Sequence, residues 1–250
     1  MIIRIASHEF KAYFKSPMAW TILAVLQLIL GYLFLTQIET FTLMQDKLAN
    51  IEGAPDLTDI IVIPLFSNAG IILLLVTPLL TMRLICEERR NKTLSLLLSA
   101  PISDTQIILG KYLGTLSLLG IIILLISLMP LSLMTVVEFD KGKLLANVLG
   151  LSLLCSAFTA VGIFMSTVVG HPTVAAIGTM GILLILWLLN INSTLSDNPN
   201  EFLSYFSLLK HFQSIQTGLL DSSDIIYFVL FICSFLILTV NSLSQQRFQK

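Results

Sequence analysis

The residues best equipped for chemistry in this chain lie in one run from Met82 to Leu113, M-R-L-I-C-E-E-R-R-N-K-T-L-S-L-L-L-S-A-P-I-S-D-T-Q-I-I-L-G-K-Y-L. Charges of both signs crowd Arg83 to Lys92, and Glu88 stands four residues before Lys92, the favoured order for an ion pair on a helix. Thr93 to Ser99 is apolar and must press against protein or a membrane surface. Ala100-Pro101 then ends the helix, and Ser103-Asp104-Thr105-Gln106 predicts a capping box, Ser103 bonding forward and Gln106 reaching back. A charged helix held between a proline break and a firm cap suits a rigid lever for an external motor. It equally suits a plain loop that fixes topology, and from the residues alone both readings stay open.

Hydrolytic and metal chemistry find no seat. A phosphate-binding loop needs G-x-x-x-x-G-K-[ST], but Gly110-Lys111 is followed by Tyr112 and has Thr105 where the first glycine belongs. His8-Glu9 would need a second histidine at position 12 to bind zinc, and that residue is Ala12. Cys86, Cys155 and Cys233 are odd in number and widely spaced, so they read as packing residues. The expectation is no catalytic residue, no metal and no cofactor bound by this chain.

The elements around that run are apolar. Of 250 residues 56% are hydrophobic and only 12% charged, against about a quarter charged in soluble domains. Mean hydropathy is +0.91, so a bilayer is the natural solvent. The net charge of −1 carries no signature for nucleic acid. About 20 apolar residues cross a hydrocarbon core, and six runs reach that length, at approximately 18–38, 60–82, 108–136, 145–169, 173–192 and 224–243. Only Gly170, His171 and Pro172 separate the fourth from the fifth, which predicts an antiparallel hairpin. The expected fold is an all-α integral membrane bundle of six transmembrane helices. Without an internal repeat or low-complexity linker it forms one domain over 1–250.

Basic residues near span ends stay in the cytoplasm. With both termini inside, Arg4, Lys11, Lys15, Arg83, Arg89, Arg90, Lys92, Lys111, Arg247 and Lys250 are cytoplasmic, and Lys47, Lys141, Lys143 and Lys210 are outside, ten against four. Residues 2–15 place Ile3, Ala6, Phe10 and Tyr13 or Phe14 on one stripe and Arg4, His8, Lys11 and Lys15 on another, the pattern of an interfacial helix. The 39–59 connection, with Gly53 and Pro55, is expected to be irregular with one short helix at most. The segment 193–223 turns amphipathic through Phe202, Tyr205, Phe206, Leu209 and Phe212, which predicts a short outer helix dipping into the leaflet. His171 and His211 read as surface or interface residues. Gly110 and Gly114 form a G-x-x-x-G suited to close helix packing. No Asp, Glu, Lys, Arg or His stands near the middle of a span, which disfavours an intramembrane enzyme and a proton-coupled transporter.

The Met82–Leu113 run resembles the type-2 ABC permease motif E-E-[KR]-R-x-x-x-L-x-x-L-L-x-x-P-[IV]-S-x-x-x-[IL]-x-x-G-K. Glu87, Glu88, Arg89, Arg90, Leu94, Leu97, Leu98, Pro101, Ile102, Ser103, Ile107, Gly110 and Lys111 match it, Thr93 suits the T-L-E-L-L-L form, and Ser95 replaces its glutamate. Lys15–Trp20, Leu203–Ser214 and Gly218–Phe228 resemble the gliding-motility-type permease branch. The resemblance implies an exporter permease in the plasma (inner) membrane, dimeric with a second copy or a homologous permease. It implies a separate ABC ATP-binding subunit that holds ATP and Mg. Glu87, Glu88, Arg89, Arg90, Thr93, Leu94, Leu97, Leu98 and Pro101 would couple to that subunit, and Phe202, Tyr205, Phe206, Leu209 and Phe212 would form an outer gate. A motor-independent channel or scaffold is the competing reading.

Overall fold

A computed structural model describes residues 1–48, 58–93, 102–133, 140–195, 205–218 and 221–248. Helix α1 spans Ile2–Lys15 and stops at Ser16, whose backbone is extended (φ −88°, ψ 135°). The Ser16 hydroxyl accepts from the Met18 amide at 3.3 Å. Pro17 then opens α2, Pro17–Leu48, in the first turn, where a missing N–H costs nothing. The helix therefore continues about a turn and a half past residue 42, well into the stretch expected to be irregular. Thr36, Thr40 and Thr42 donate their hydroxyls to carbonyls one turn back, so these polar residues do not break it. Gly53 and Pro55 lie outside the described residues.

A π-helical turn, Thr58–Val62, leads into α3, Ile63–Thr81, with Pro64 at its start and Pro78 inside. The short α4, Cys86–Arg90, follows. Helix α5, Asp104–Leu133, begins after Ser103, whose hydroxyl accepts from the Gln106 amide at 3.4 Å, the forward half of the expected capping box. Helix α6, Lys141–Val168, is capped by Asp140, which accepts from the Gly142 amide at 2.7 Å. Helix α7 is Pro172–Leu195, α8 is Leu208–Gln216 and α9 is Ser222–Phe248. The 170–172 turn and the short amphipathic α8 fall where the sequence places them.

Six of these helical stretches are long and apolar enough to cross a membrane. Helix α6 is their axis, packed against α3, α5, α7, α8 and α9. Small side chains make that possible: Gly150, Cys155, Ala157, Ala160 and Gly162 all lie buried along it. At Gly162 a methyl group would stand 2.6 Å from Thr81 Cβ, so α3 and α6 cross nearly backbone to backbone. Aromatic and branched residues fill the remaining core, led by Phe66, Phe158, Phe212 and Phe228.

Helix α1 and the last turns of α9 lie at one end of the bundle, called basal below, where they touch the same elements. Helix α1 is seated on the Gly110/Gly114 pair of α5. A Cβ at Gly110 would lie 2.6 Å from Ile5 Cβ, and one at Gly114 would lie 2.7 Å from Glu9 Cβ and 3.0 Å from the Ala6 carbonyl. The sealed face is thus Ile5, Ala6, Glu9 and Tyr13 rather than a stripe begun by Ile3, which is 81% exposed. Gly114→Val should push α1 off α5 and lower thermal stability in detergent by about 1–3 kcal/mol through overpacking. Gly120→Ala, with open space at its Cβ, should not destabilise the same preparation.

Candidate functional site

Lys111 sits in the second turn of α5 with 3% of its side chain exposed. A lysine ammonium carries three donors and cannot be buried unpaired without a cost of several kcal/mol. Two carboxylates answer it: Glu9 of α1 at 2.5 Å and Glu88 of α4 at 2.7 Å. Three elements far apart in sequence thus converge on one nitrogen. The Gly110/Gly114 seat makes this reachable, because it brings Glu9 down onto the α5 backbone.

Beside the ammonium, the Tyr13 hydroxyl donates to the Leu80 carbonyl at 3.1 Å and lies 3.1 Å from the Thr115 hydroxyl. Helix α1 is thereby tied to the end of α3 as well as to α5. Burial raises the Tyr13 phenol above its ordinary pKa, so it stays a neutral donor.

The opposite side of α4 is tied to α6 and α9. Helix α4 has no capping side chain of its own. Ser166 of α6 supplies one from outside, accepting the Ile85 amide at 3.1 Å and the Cys86 amide at 3.2 Å while donating to the Met82 carbonyl. In return, α4 satisfies carbonyls that the end of α6 leaves open. Cys86 Sγ reaches the Ser166 and Val169 carbonyls, and Arg89 Nη2 donates to the Thr167 carbonyl at 2.9 Å. Arg89 also holds Gln246 of α9, whose amide nitrogen returns to the Thr167 carbonyl at 3.0 Å. The short helix is a rivet joining α1, α5, α6 and α9.

This arrangement divides the candidate coupling residues. Glu88 and Arg89 are half-buried and face inward, whereas Glu87, Arg90 and Thr93 are exposed. The helix read over the charged run ends early, because Asn91 caps it and Lys92 takes a left-handed backbone (φ 58°). Glu88 reaches across to Lys111, 23 residues on, where the sequence suggested Lys92. Leu94, Leu97, Leu98 and Pro101 lie outside the described residues. A cavity of about 280 Å³ opens between α1, α3 and α4, lined among others by His8, Tyr13, Arg83, Glu87, Glu88 and Lys111.

At the other, distal, end, α8 presents its candidate gate residues unequally. Phe212 is fully buried, Leu209 half-buried, and Tyr205 and Phe206 exposed. Phe202 lies outside the described residues. Phe212 wedges between Gly70 of α3 and Gly150 of α6, where Cβ atoms would stand 3.3 and 3.4 Å from its ring. Gln216 fixes the end of α8, accepting from Ser67 at 3.0 Å and, through its carbonyl, from Asn147 at 3.3 Å.

Sequence reasoning missed Glu9, Ser166, Thr167 and Gln246. One signal was present: a lysine inside an apolar helix needs acids nearby. Which acids, the spacing could not tell.

Six helices long and apolar enough to cross a membrane, with both the ion triad and the ends of α3, α5, α6 and α9 converging on α4, make this a multi-pass membrane protein. Residues 3–250 match the family described as ABC-2 family transporter protein, and the chain belongs to it as a membrane-embedded permease subunit. No curated protein matches the sequence.

Lys111→Met leaves two acids facing each other without their cation and should cost about 3–5 kcal/mol, read as thermal unfolding in detergent. Adding Glu9→Gln and Glu88→Gln to that variant should recover most of the loss.

Proposed function

We propose that the chain is the permease of an ABC exporter, with the basal end in the cytoplasm and the rivet helix α4 receiving the stroke of a separate ATP-binding subunit. The observation that carries this reading is the division of α4 into an inward face, Glu88 and Arg89, and an exposed face, Glu87 and Arg90. A transmission element needs both: one surface to meet the motor and another bonded to the parts it moves. The ten-to-four basic asymmetry supports a cytoplasmic basal end with both termini inside, and the membrane of this reading is the plasma (inner) membrane.

In this reading Glu87, Arg90 and Thr93 dock on the ATP-binding subunit together with Leu94, Leu97, Leu98 and Pro101. Glu88 and Arg89 pass its displacement to α1, α5, α6 and α9. ATP and Mg belong to the partner. The permease pairs with a second copy or a homologue, and the segments Lys15–Trp20, Leu203–Ser214 and Gly218–Phe228, which resemble gliding-motility-type permeases, support membership of that branch. Tyr205, Phe206, Leu209 and Phe212 of the distal segment, with Phe202, act as the outer gate. Nearly charge-free spans suit a lipid-like or otherwise hydrophobic cargo.

The test is the exposed face alone. Glu87→Lys combined with Arg90→Glu should leave thermal stability unchanged and abolish co-purification with the ATP-binding subunit and permease-stimulated ATP hydrolysis. Unchanged co-purification and hydrolysis would remove α4 as the docking element and favour a motor-independent channel or scaffold.

A further inference from the structure

At the distal end His211 of α8 is buried, only 4% exposed, and both ring nitrogens point at acceptors. Nδ1 stands 2.6 Å from Asp224 Oδ1 at the start of α9, and Nε2 stands 2.8 Å from the Tyr205 carbonyl. A carbonyl has no proton to give, so Nε2 must carry one. The Nδ1 to Oδ1 bond then needs a second proton, held by the imidazole or by the carboxyl. A neutral histidine facing an ionised aspartate has one N–H for two acceptors and can make only one of these bonds.

The pair is enclosed by aromatic rings. The Tyr227 ring stacks on the imidazole with centroids 4.0 Å apart and 20° between planes, a face-on contact that attracts a cationic ring. Tyr205 meets it edge-on at 5.2 Å. Asp224 is 5% exposed, and its second oxygen, Oδ2, is buried with no hydrogen-bond partner among the described residues, so a lone ionised carboxylate there would be poorly solvated. Of the other described charged groups near this end, Lys143 on α6 is engaged by Asp59 at 2.7 Å, and Asp140, Lys141, Asp221 and Lys210 are exposed. Among the described residues of α3 and α7 no charged side chain faces the pair.

We infer that His211 and Asp224 form a proton-binding site that couples the docking of α8 to the pH of the solution at the distal end. The docked helix holds the bridging proton. Loss of that proton removes one of the two bonds that fix His211, while Phe212 and Gln216 remain as hydrophobic and amide anchors. By linkage, raising the pH favours the loosened helix, and undocking the helix releases the proton. The significance for transport rests on the outer-gate reading; the proton site itself does not.

Hydrogen exchange of the 208–216 amides in the full chain, reconstituted in lipid nanodiscs, tests this from about pH 5 to about pH 9, a range that brackets ordinary imidazole titration. After correction for intrinsic exchange, protection in the native chain should fall at least several-fold as pH rises, with the α6 amides serving as an unchanging reference. Asp224→Asn supplies an amide N–H to a neutral His211 and should keep α8 protected at every pH. His211→Gln has one side-chain NH2 and no titration, and should remove the pH step at whatever level of protection it shows. A flat native profile, or a step that persists in both variants, overturns the proton site. A normal step, with no change in protection of the segment when the co-purified ATP-binding subunit and ATP are added to the same nanodiscs, would instead spare the proton site and overturn the gate.

Discussion

One buried ammonium sets the arrangement of the basal end. Lys111 cannot remain charged in an apolar helix unless carboxylates come to it, and none of its own turn can do so. Glu9 and Glu88 must be brought from two other elements, which obliges α1 to lie along α5 and α4 to fold back beneath the bundle. The glycines at 110 and 114 belong to the same requirement, since any side chain there would hold α1 too far away for Glu9 to reach. Two acids against one base leave an excess negative charge, and Glu88 Oε2 is buried with no partner among the described residues. Arg83, which lines the adjoining cavity, supplies positive potential there. The triad therefore specifies position more than it adds net stability, as buried ion clusters do when desolvation offsets much of their attraction.

The hydrogen bonds on the other side of α4 follow a different rule. Helix ends leave backbone groups unpaired, and an apolar bundle has few side chains to satisfy them. Here two ends answer each other: the start of α4 takes Ser166 as its cap, and the end of α6 receives Cys86 and Arg89. Because α6 is the axis of the bundle, a displacement of α4 has a direct bonded route to its centre. The ion triad gives a second route, along α5 and α1. In the transporter reading, the stroke would reach the spans through both.

The sequence was informative where one element decides the outcome alone. Hydropathy and length locate the spanning helices, and the 170–172 turn and the amphipathic α8 follow from Pro172 and from the spacing of Leu208, Phe212 and Ile215. It was less informative where partners come from afar. Glu88 had a plausible local partner in Lys92, and only the folded chain shows that Lys111 takes it. Arg89 falls among the coupling residues by sequence, and only the folded chain shows that its guanidinium closes the end of α6. The extension of α2 beyond residue 38 was hidden because Glu39, Thr40 and Thr42 look like loop residues. Hydroxyls folded onto their own helix cancel that polarity.

The two ends of the bundle are fastened by unlike means, and this bears on which can move. The basal contacts include an ion triad and bonds to the open carbonyls at the end of α6, so separating them would strand charge and leave backbone groups unpaired. At the distal end α8 is nine residues long and held by Leu208, Phe212 and Ile215 in the core, by the bonds to Gln216 and by the His211–Asp224 contact. Phe212 rests against glycines, Gly70 and Gly150, which present flat surfaces and do not lock a ring in place as a branched side chain would. In the exporter reading, a short helix of this kind lifts as a unit with few bonds broken, while the basal rivet passes on displacement without yielding. On that reading the stiff basal end is the input and the more lightly held distal end the outlet, the arrangement by which work applied at one end opens the other.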